Sequence, residues 1–180
     1  MTKILKPQLA EDAILEEVRF PCWVQPKIDG VRALNRTGRL TGRSLDEFKG
    51  YLISDFFSRP GFLHLDGEMI LGIKPNCTER LCSATTGAMG RFKGVTEMAN
   101  VHWWVFDYLG APDLPYRSRY SLLEVKVKEL SHPRVHLVPY AVINNYAQLL
   151  AIIAEYAAAG YEGTIIRNPD APAKEGRATQ

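Results

Sequence analysis

Lys27-Ile28-Asp29-Gly30-Val31-Arg32 is the stretch of the sequence from which the fold is predicted. Asp29 and Gly30 stand between two apolar segments, residues 24–28 and 31–34. An Asp-Gly pair in this setting is a strong signal for the two-residue turn of a β-hairpin, because both turn positions need backbone angles that these residues tolerate. We therefore expect two paired antiparallel strands, with Lys27 presented beside the turn.

The same six residues carry a chemical pattern. Lys27 stands two residues before Asp29-Gly30, and Arg32 stands two residues after the glycine. This spacing suits a covalent nucleotidyl transferase, in which a lysine amine attacks the α-phosphate of a nucleotide. The amine must lose its proton, so it needs nearby charges or a partly dry cleft, and a cation such as Arg32 could bind the phosphate. A plain hairpin is the simpler interpretation, and both can hold together.

Size and charge limit the classes of function. The chain has 180 residues, of which 46% are hydrophobic, so it can form one domain with a sizeable core. Its net charge is only +2, so a nucleic acid would have to contact a local basic patch. Residues 27–49 form such a patch, although a solvated hairpin face is the simpler explanation. The cations of this basic patch are Lys27, Arg32, Arg36, Arg39, Arg43 and Lys49, and its acids are Asp29, Asp46 and Glu47.

Cysteines and apolar segments predict the compartment. Cys22, Cys77 and Cys82 are an odd number without metal-ligand spacing, which is typical of reduced thiols in a cytosolic protein. Acidic residues near the N-terminus argue against a signal peptide, and the most apolar segment, residues 147–159, is too short to span a bilayer. We therefore expect a soluble protein without a membrane partner. Its location would be cytoplasmic.

Apolar periodicity predicts a mixed α+β domain. Strands are expected at 23–28, 31–35, 40–43, 62–71, 102–109, 135–142 and 162–168, with a turn at Asp66-Gly67 as the alternative to one continuous strand. Helices are expected at 11–18, 45–58, 118–130 and 146–159, and residues 78–92 are ambiguous. Asn144 or Asn145 would cap the last helix, and Gly160 would end it. Because strands and helices do not alternate strictly, antiparallel sheets are favoured over a doubly wound parallel sheet.

Two further segments combine acids with a glycine beside an apolar strand. In Asp66-Gly67-Glu68, the glycine would let a ligand approach closely, and the glutamate could hold a hydrated Mg²⁺. Glu162-Gly163 and Arg167 repeat the scheme of acid, glycine and cation around a β-branched strand. A turn is the alternative for the first segment, and a solvated strand end is the alternative for the second.

Residues 102–109 predict an aromatic strand. Alternation places Trp104 and Phe106 on one face and Trp103 and Val105 on the other, so at most one face can line a pocket. These rings are core residues by default, but an exposed ring at the end of the strand could stack on a base.

Taken in order, these segments resemble the adenylation domain of ATP-dependent DNA ligases, especially the short bacteriophage type. That family belongs to the lysine nucleotidyltransferases, together with RNA ligases and mRNA capping enzymes. Each motif alone occurs in many unrelated proteins. Five motifs in the expected order are specific, because the probabilities that each occurs by chance are multiplied. Residues 6–10 are similar to the segment that precedes motif I in the family. The five motifs that the sequence resembles are I (Lys27 to Arg32), Ia (Arg43 with Thr41, Gly42 and Ser44), III (Asp66-Gly67-Glu68), IIIa (Val105-Phe106-Asp107) and IV (Glu162-Gly163 with Arg167).

The resemblance implies a fold and a reaction. The fold would be an ATP-grasp-like ligase nucleotidyltransferase core, with two antiparallel sheets flanked by helices and ATP bound in the cleft between them. Lys27 would attack ATP and retain AMP, which then passes to the 5′-phosphate of a nick in double-stranded DNA, where the 3′-hydroxyl displaces it. Because NAD-dependent ligases need an additional N-terminal domain before the lysine, ATP is favoured over NAD.

The resemblance also assigns a role to each candidate residue. By this resemblance, Lys27 would be the nucleophile and Asp29 would orient the lysine or the metal. Arg32 would bind ribose and phosphate. Gln25 would read the adenine edge, and Phe106 would stack on adenine. The remaining nucleotide contacts are Arg43, Glu68, Glu162 and Arg167, of which Glu68 and Glu162 would also hold Mg²⁺.

The sequence departs from the family pattern in two respects. Motif IV more often carries a lysine where Arg167 stands, which alters geometry more than charge. The Lys-x-Lys pair of motif V should follow soon after residues 174–177, and neither it nor the OB-fold domain lies within the 180 residues. We therefore expect residues 1–180 to be a monomeric adenylation domain cut before motif V. An RNA ligase, a capping-type enzyme and a binding module that has lost catalysis stay open as alternatives.

Overall fold

Eight strands and four helices make up the part of the chain that the computed structural model describes, residues 12–76, 81–90 and 98–174. The strands are β1 Cys22–Lys27, β2 Val31–Asn35, β3 Leu40–Thr41, β4 Leu65–Leu71, β5 Val101–Tyr108, β6 Val135–Leu137, β7 Ala141–Ile143 and β8 Gly163–Arg167. The helices are α1 Tyr51–Phe57, α2 Leu81–Ala88, α3 Tyr116–Leu130 and α4 Tyr146–Ala158, with short 3-10 turns at Leu15–Glu17 and Pro60–Phe62.

The strands form two sheets. The smaller sheet has the order β7-β1-β8, and the larger sheet has the order β3-β2-β4-β5-β6. Strand pairs in both sheets are antiparallel, except for the parallel pair β5–β6. The predicted α+β class and the two sheets are confirmed, but the prediction of purely antiparallel pairing is wrong at this pair. Helix α3 connects β5 to β6, and such a crossover permits parallel pairing.

The hairpin predicted at Asp29-Gly30 is not formed. Strands β1 and β2 lie in different sheets, so the dipeptide connects the two sheets rather than two paired strands. Ile28 is buried, and its carbonyl accepts a hydrogen bond of 3.0 Å from the amide of Gly30. A Cβ atom on Gly30 would lie only 2.6 Å from the carbonyl oxygen of Met69 in β4. The glycine is therefore required by the close approach of the connection to the larger sheet.

The single strand predicted at residues 135–142 is two short strands. β6 joins the larger sheet and β7 joins the smaller sheet. Pro139 lies between them and has no amide hydrogen to donate to a ladder. Val138 is buried beside it, and its carbonyl accepts hydrogen bonds from the side chains of Gln25 and Tyr120. The segment therefore crosses from one sheet to the other at this point.

Strand β4 runs without a turn through Asp66-Gly67. The register with β5 shifts between these two residues, so Phe106 is the extra residue of a β-bulge. A Cβ atom on Gly67 would overlap the backbone of Trp104, so only glycine fits beside this bulge. The turn interpretation of Asp66-Gly67 is therefore wrong, and the strand interpretation is confirmed.

The helix predictions hold in part. The helix predicted at residues 45–58 is only α1, because Leu45 has a positive φ of 69° and Glu47 forms a β-bridge with Thr41. Of the helix predicted at residues 11–18, the described residues 12–18 contain only a 3-10 turn. In the ambiguous segment 78–92, α2 occupies most of the described part. Asn145 caps α4 by accepting a hydrogen bond from the amide of Gln148, and Gly160, with φ of 86°, ends it.

The core divides according to the two faces of the larger sheet. One face packs against α1 and α3 and holds the main core, which includes Trp103 and Val105. Trp104 and Phe106 belong to a second cluster with Ile28. The alternation predicted for β5 is therefore confirmed. A third cluster lies between the smaller sheet and α4.

Within residues 12–76, 81–90 and 98–174, no helix has the length and apolarity needed to cross a membrane. Cys22 and Cys82 are free thiols, while Cys77 lies outside the described residues, as do residues 6–10.

Candidate active site

Lys27 and Glu162 form an ion pair at one end of the smaller sheet, where β1 ends and β8 begins. Antiparallel pairing of β1 with β8 places Lys27 opposite Gly163, and the amide of Glu162 donates a hydrogen bond of 3.1 Å to the carbonyl of Lys27. The Lys27 Nζ atom donates to Oε1 of Glu162, and both side chains are 41% exposed. Sheet pairing thus unites a cation and an acid that are 135 residues apart in the sequence.

Arg32 and Asp66 form a second ion pair, on the larger sheet. Nε and Nη2 of Arg32 donate hydrogen bonds of 2.6 and 2.8 Å to the two carboxylate oxygens of Asp66. Burial alone would lower the pKa of Arg32, but the charges of Asp66 and of nearby Glu68 raise it, so the guanidinium stays positive. Asp66 therefore holds Arg32 in place, while Nη1 is not used in this pair.

Glu68 lies between these two ion pairs. It is half-buried and stands opposite Arg32 in the register of β2 with β4. Burial raises its pKa to about 8, and the negative charges of Asp66 and Glu162 act in the same direction, while Arg32 and Lys27 oppose them. Its protonation can therefore change near neutral pH, which is common for carboxylates at functional sites.

Two guanidinium groups contact the ring of Phe106. Its ring centroid is 4.5 Å from the Cζ atom of Arg32 and 5.1 Å from that of Arg167, both within the range of cation–π contacts. The ring is only 9% exposed. An adenine ring stacked on Phe106 would therefore have to share or replace one of these contacts. We call the group of Lys27, Arg32, Glu68, Phe106, Glu162 and Arg167 the inter-sheet site.

Gln25 is a buried connection beneath the inter-sheet site. Its Oε1 accepts hydrogen bonds from Tyr116 Oη at 2.9 Å and from Arg167 Nε at 2.7 Å, and its Nε2 donates to the Val138 carbonyl at 3.1 Å. The side chain is 1% exposed. The amide thus joins the smaller sheet to α3 and to the segment between β6 and β7. Reading an adenine edge, the role predicted for it, would require giving up one of these bonds.

Asp29 and Arg43 lie away from the inter-sheet site in their contacts. The Oδ2 atom of Asp29 accepts a long hydrogen bond of 3.4 Å from the amide of Cys82 in the first turn of α2, where a negative charge is favourable. Arg43 is exposed in the turn that follows β3. The roles predicted for both residues stay predictions.

Two buried residues of α3 belong to the surroundings of the site and were not predicted from the sequence. The Tyr116 hydroxyl lies 2.7 Å from the Phe106 carbonyl and shares its single proton between this oxygen and Oε1 of Gln25. Arg119 binds the two carboxylate oxygens of Asp107 through Nε and Nη2, at 2.8 and 2.9 Å. The available signal was a cation within an apolar helical stripe, because Arg119 follows Tyr116 by three residues and precedes Leu123 by four. Such a cation needs a buried partner.

The carboxylates of the inter-sheet site are suited to a divalent cation. Mg²⁺ is usually bound by one or two protein carboxylates, water and the phosphates of a substrate. Glu68 and Glu162 lie close enough for the charge of Glu162 to raise the pKa of Glu68, and a cation between them would relieve this repulsion. Within the described ranges, no group of three or more His, Cys, Asp and Glu residues forms a complete metal site.

Solved structures of DNA ligases share this fold. The structure of Chlorella virus DNA ligase-adenylate matches with a TM-score of 0.77 and 27% identity, covering 98% of this chain and 66% of that chain. The ATP-dependent DNA ligase of bacteriophage T7 in complex with ATP matches with a TM-score of 0.70 and 14% identity, covering 96% of this chain and 66% of that chain. At the lower identity, the likeness shows the fold alone. The fold is that of a ligase nucleotidyltransferase domain.

Sequence comparison defines the family. The model of a family described as ATP dependent DNA ligase domain matches residues 6–179, so the chain belongs to this family. The DNA ligase of African swine fever virus (strain Badajoz 1971 Vero-adapted) is 28% identical over 117 residues, which cover 63% of this chain and 26% of the viral protein. The resemblance inferred from the motifs is confirmed, and the chain spans about a quarter of this curated relative.

Proposed function

We propose that this chain is the adenylating domain of an ATP-dependent DNA ligase and that Lys27 carries AMP before its transfer to nicked double-stranded DNA. The observation that carries the proposal is the pairing of Lys27 with Glu162 beside Glu68, where the two sheets meet. A lysine nucleophile needs charged neighbours that can accept or share its proton. Membership of the ATP-dependent DNA ligase family supports the choice of ATP.

The proposed reaction is the transfer of an adenylyl group to an amine. Lys27 Nζ forms a bond to the α-phosphorus, and the bond from that phosphorus to the oxygen bridging to the β-phosphate breaks. Pyrophosphate leaves with the electron pair, and the amine releases its proton to a neighbouring carboxylate or to water. Lys27 must lose a proton before it attacks, because a protonated amine has no free electron pair, and Glu162 is the carboxylate paired with it.

The surrounding residues would position the nucleotide and offset its charge. Arg32 is held by Asp66, so its guanidinium is preorganised for phosphate or ribose. Phe106 and Arg167, whose side chains contact each other, would bind the nucleobase. Glu68 and Glu162 would hold Mg²⁺, which supplies charge neutralisation for the transferred phosphoryl group. These roles rest on the geometry of the described residues and on the family.

DNA contact is proposed for the basic patch of residues 27–49. Part of the patch is already paired, since Arg39 binds Glu47 and Arg32 binds Asp66. Arg43 and Lys49 are exposed and are the better candidates for phosphate contacts. Few phosphate contacts predict weak, salt-sensitive binding. The monomeric state and the boundary before motif V stay predictions.

Covalent labelling tests the proposed function. Incubation with α-labelled ATP or GTP and Mg²⁺, followed by a denaturing gel, should give an adenylyl adduct that is acid-labile, as expected for a phosphoramidate. A guanylyl adduct would favour a capping-type enzyme instead. No adduct with either nucleotide, in this chain or in a longer one that includes the lysine pair expected beyond residue 177, would contradict the proposal and favour a binding module.

Replacing Phe106 by leucine should weaken ATP binding. Base–aromatic stacking contributes about 1–3 kcal/mol, so the dissociation constant should rise by roughly five- to a hundredfold. Calorimetric titration with ATP measures this effect. Phe57→Leu is the matched control, because Phe57 is fully buried in the main core on the opposite face of the sheet. If both variants lose only thermal stability and bind ATP equally, Phe106 is a core residue and not a nucleobase contact.

A further inference from the structure

Arg119 lies where α3, β5 and the segment that follows β8 converge. Its side chain is 2% exposed. Nε and Nη2 hold the two carboxylate oxygens of Asp107, while Nη1 donates to the carbonyl of Leu114 at 2.7 Å and to that of Ala171 at 3.3 Å. One guanidinium therefore binds three separate parts of the chain.

Two of these contacts lie close in sequence to Phe106 and Arg167, the residues proposed to bind the nucleobase. Asp107 directly follows Phe106 at the end of β5, and Ala171 follows Arg167, the last residue of β8, by four positions. Phe106 belongs to the larger sheet and Arg167 to the smaller sheet. The relative position of these two side chains is therefore linked to Arg119 through short stretches of backbone.

The segment from residue 168 to residue 173, here called the exit segment, is bound to the N-terminus of α3 by further hydrogen bonds. The amides of Tyr116 and Arg117 each donate 2.9 Å hydrogen bonds to carbonyls of the exit segment, those of Ala171 and Pro169. The first amides of a helix have no partner within the helix, and Pro115 at the N-cap has no side-chain group to bind them. The exit segment takes the place of a capping residue.

The Arg119 contacts require a guanidinium. A lysine would retain the positive charge beside Asp107, but a single ammonium group cannot bind both carboxylate oxygens and two carbonyls in different directions. Removing the charge altogether would leave Asp107 buried without a partner, which is strongly destabilising. Arg119→Lys is therefore the substitution that loosens the geometry with the least loss of charge balance.

We propose that Arg119 is a positioning residue that holds Phe106 and Arg167 at the spacing from which the nucleotide site selects its base. This inference rests on the proposed function. Arg119 does not contact the nucleotide in the proposal; it acts through Asp107 and the exit segment. A loosened site should still accept a purine nucleotide but should distinguish purines less well, since discrimination depends on the fixed geometry of groups around the base.

The experiment measures the ratio of two adenylation efficiencies, which a loss of stability alone does not change. The adenylation efficiency, kcat/KM, is measured with ATP and with inosine triphosphate, at a temperature well below unfolding of every variant. For Arg119→Lys, we expect the ratio of the two efficiencies to fall by about tenfold, the scale of a modest change in base contacts. Arg134→Lys is the control, because Arg134 packs over Phe56 and Phe57 in the main core and should leave the ratio unchanged.

Two results would overturn the proposal: an unchanged ratio in Arg119→Lys, or an equal fall in Arg134→Lys. If Arg119→Lys does not fold, Asp107→Glu, which keeps the charge beside Arg119 but changes the position of the carboxylate, is measured by the same criteria. If neither the wild-type chain nor the longer chain that includes the expected lysine pair forms an adduct, the proposed function has failed separately. Competition between ATP and inosine triphosphate for binding then still tests the selectivity of the site in the same variants.

Discussion

Replacing Lys27 by arginine should abolish the covalent AMP adduct. A guanidinium does not lose its proton in proteins and so cannot act as the nucleophile, although it can keep the ion pair with Glu162. We expect the single-turnover adenylation rate to fall by more than about a thousandfold, the scale seen when a covalent nucleophile is removed. Mass spectrometry of the intact protein and of its peptides measures both the adduct and its position.

The controls for this prediction separate chemistry from folding. Lys49→Arg makes the same substitution at an exposed position of the basic patch, and it should adenylate like the wild type. Because Lys27 is 41% exposed and its charge is retained, the melting temperature of Lys27→Arg should stay close to that of the wild type. AMP attached to a different lysine of the wild-type protein would show that the assignment of the nucleophile is wrong.

Replacing Glu68 by glutamine should lower adenylation by roughly a hundredfold, the scale of losing one preorganised electrostatic group. The substitution removes a carboxyl that can ionise beside Lys27 and one of the two carboxyl groups proposed to hold Mg²⁺. Glu162→Gln should have an effect of similar size. Rates measured at limiting Mg²⁺ test both variants, with Glu155→Gln, on the exposed surface of α4, as the matched control. Undiminished rates in both variants would rule out the metal role.

The pKa of Glu68 makes the same prediction dependent on pH. Because burial raises the pKa to about 8, most of this carboxyl is protonated at pH 7, and a divalent cation must displace the proton. The Mg²⁺ concentration needed for half-maximal adenylation should therefore decrease as the pH rises from 6.5 to 8.5. In Glu68→Gln this dependence should be weaker, and a dependence identical to that of the wild type would assign it to another group.

As the pH rises, the contribution of Glu68 to the free energy of unfolding should decrease, while adenylation at limiting Mg²⁺ should increase. A carboxyl whose pKa is raised in the folded protein binds more protons folded than unfolded, so its contribution is fully present below the unfolded pKa of about 4.5 and decreases as the pH rises through the folded value of about 8. Glutamine is neutral at every pH. Glu68→Gln should therefore melt at a higher temperature than the wild type at pH 8.5, with a smaller difference at pH 5, as thermal denaturation measures.

The sequence predicted most elements well because each depends on local periodicity. The alternation of residues 102–109 separated Trp103 from Trp104 correctly, and the Asn145 cap and Gly160 end of α4 follow from local backbone chemistry. The Asp29-Gly30 turn was wrong because the hairpin signal assumes that neighbouring strands pair with each other. Here β1 pairs with the distant strands β7 and β8, while β2 pairs with β3 and β4. The sequence around Asp29-Gly30 does not contain that information.

The order of the motifs predicted which residues belong to the candidate site, but it did not predict how these residues are arranged in space. No local pattern indicated that Phe106 would be the extra residue of a bulge or that Gln25 would be buried between Tyr116 and Arg167. Arg119 was missed because a single cation in a helical stripe has many explanations until its partner is known. Ion pairs across strands depend on register, and register depends on the packing of the whole sheet.

By itself, the sequence determined the α+β class, the family and the residues that can perform the chemistry, because these follow from periodicity and from side-chain identity in a fixed order. Only the tertiary structure decided that Lys27 is paired with Glu162, that Asp66 holds Arg32, and that Glu68 is half-buried among their charges. The reason is physical. Distances between charges and their removal from water set how each group titrates, and both arise from contacts between segments far apart in the chain.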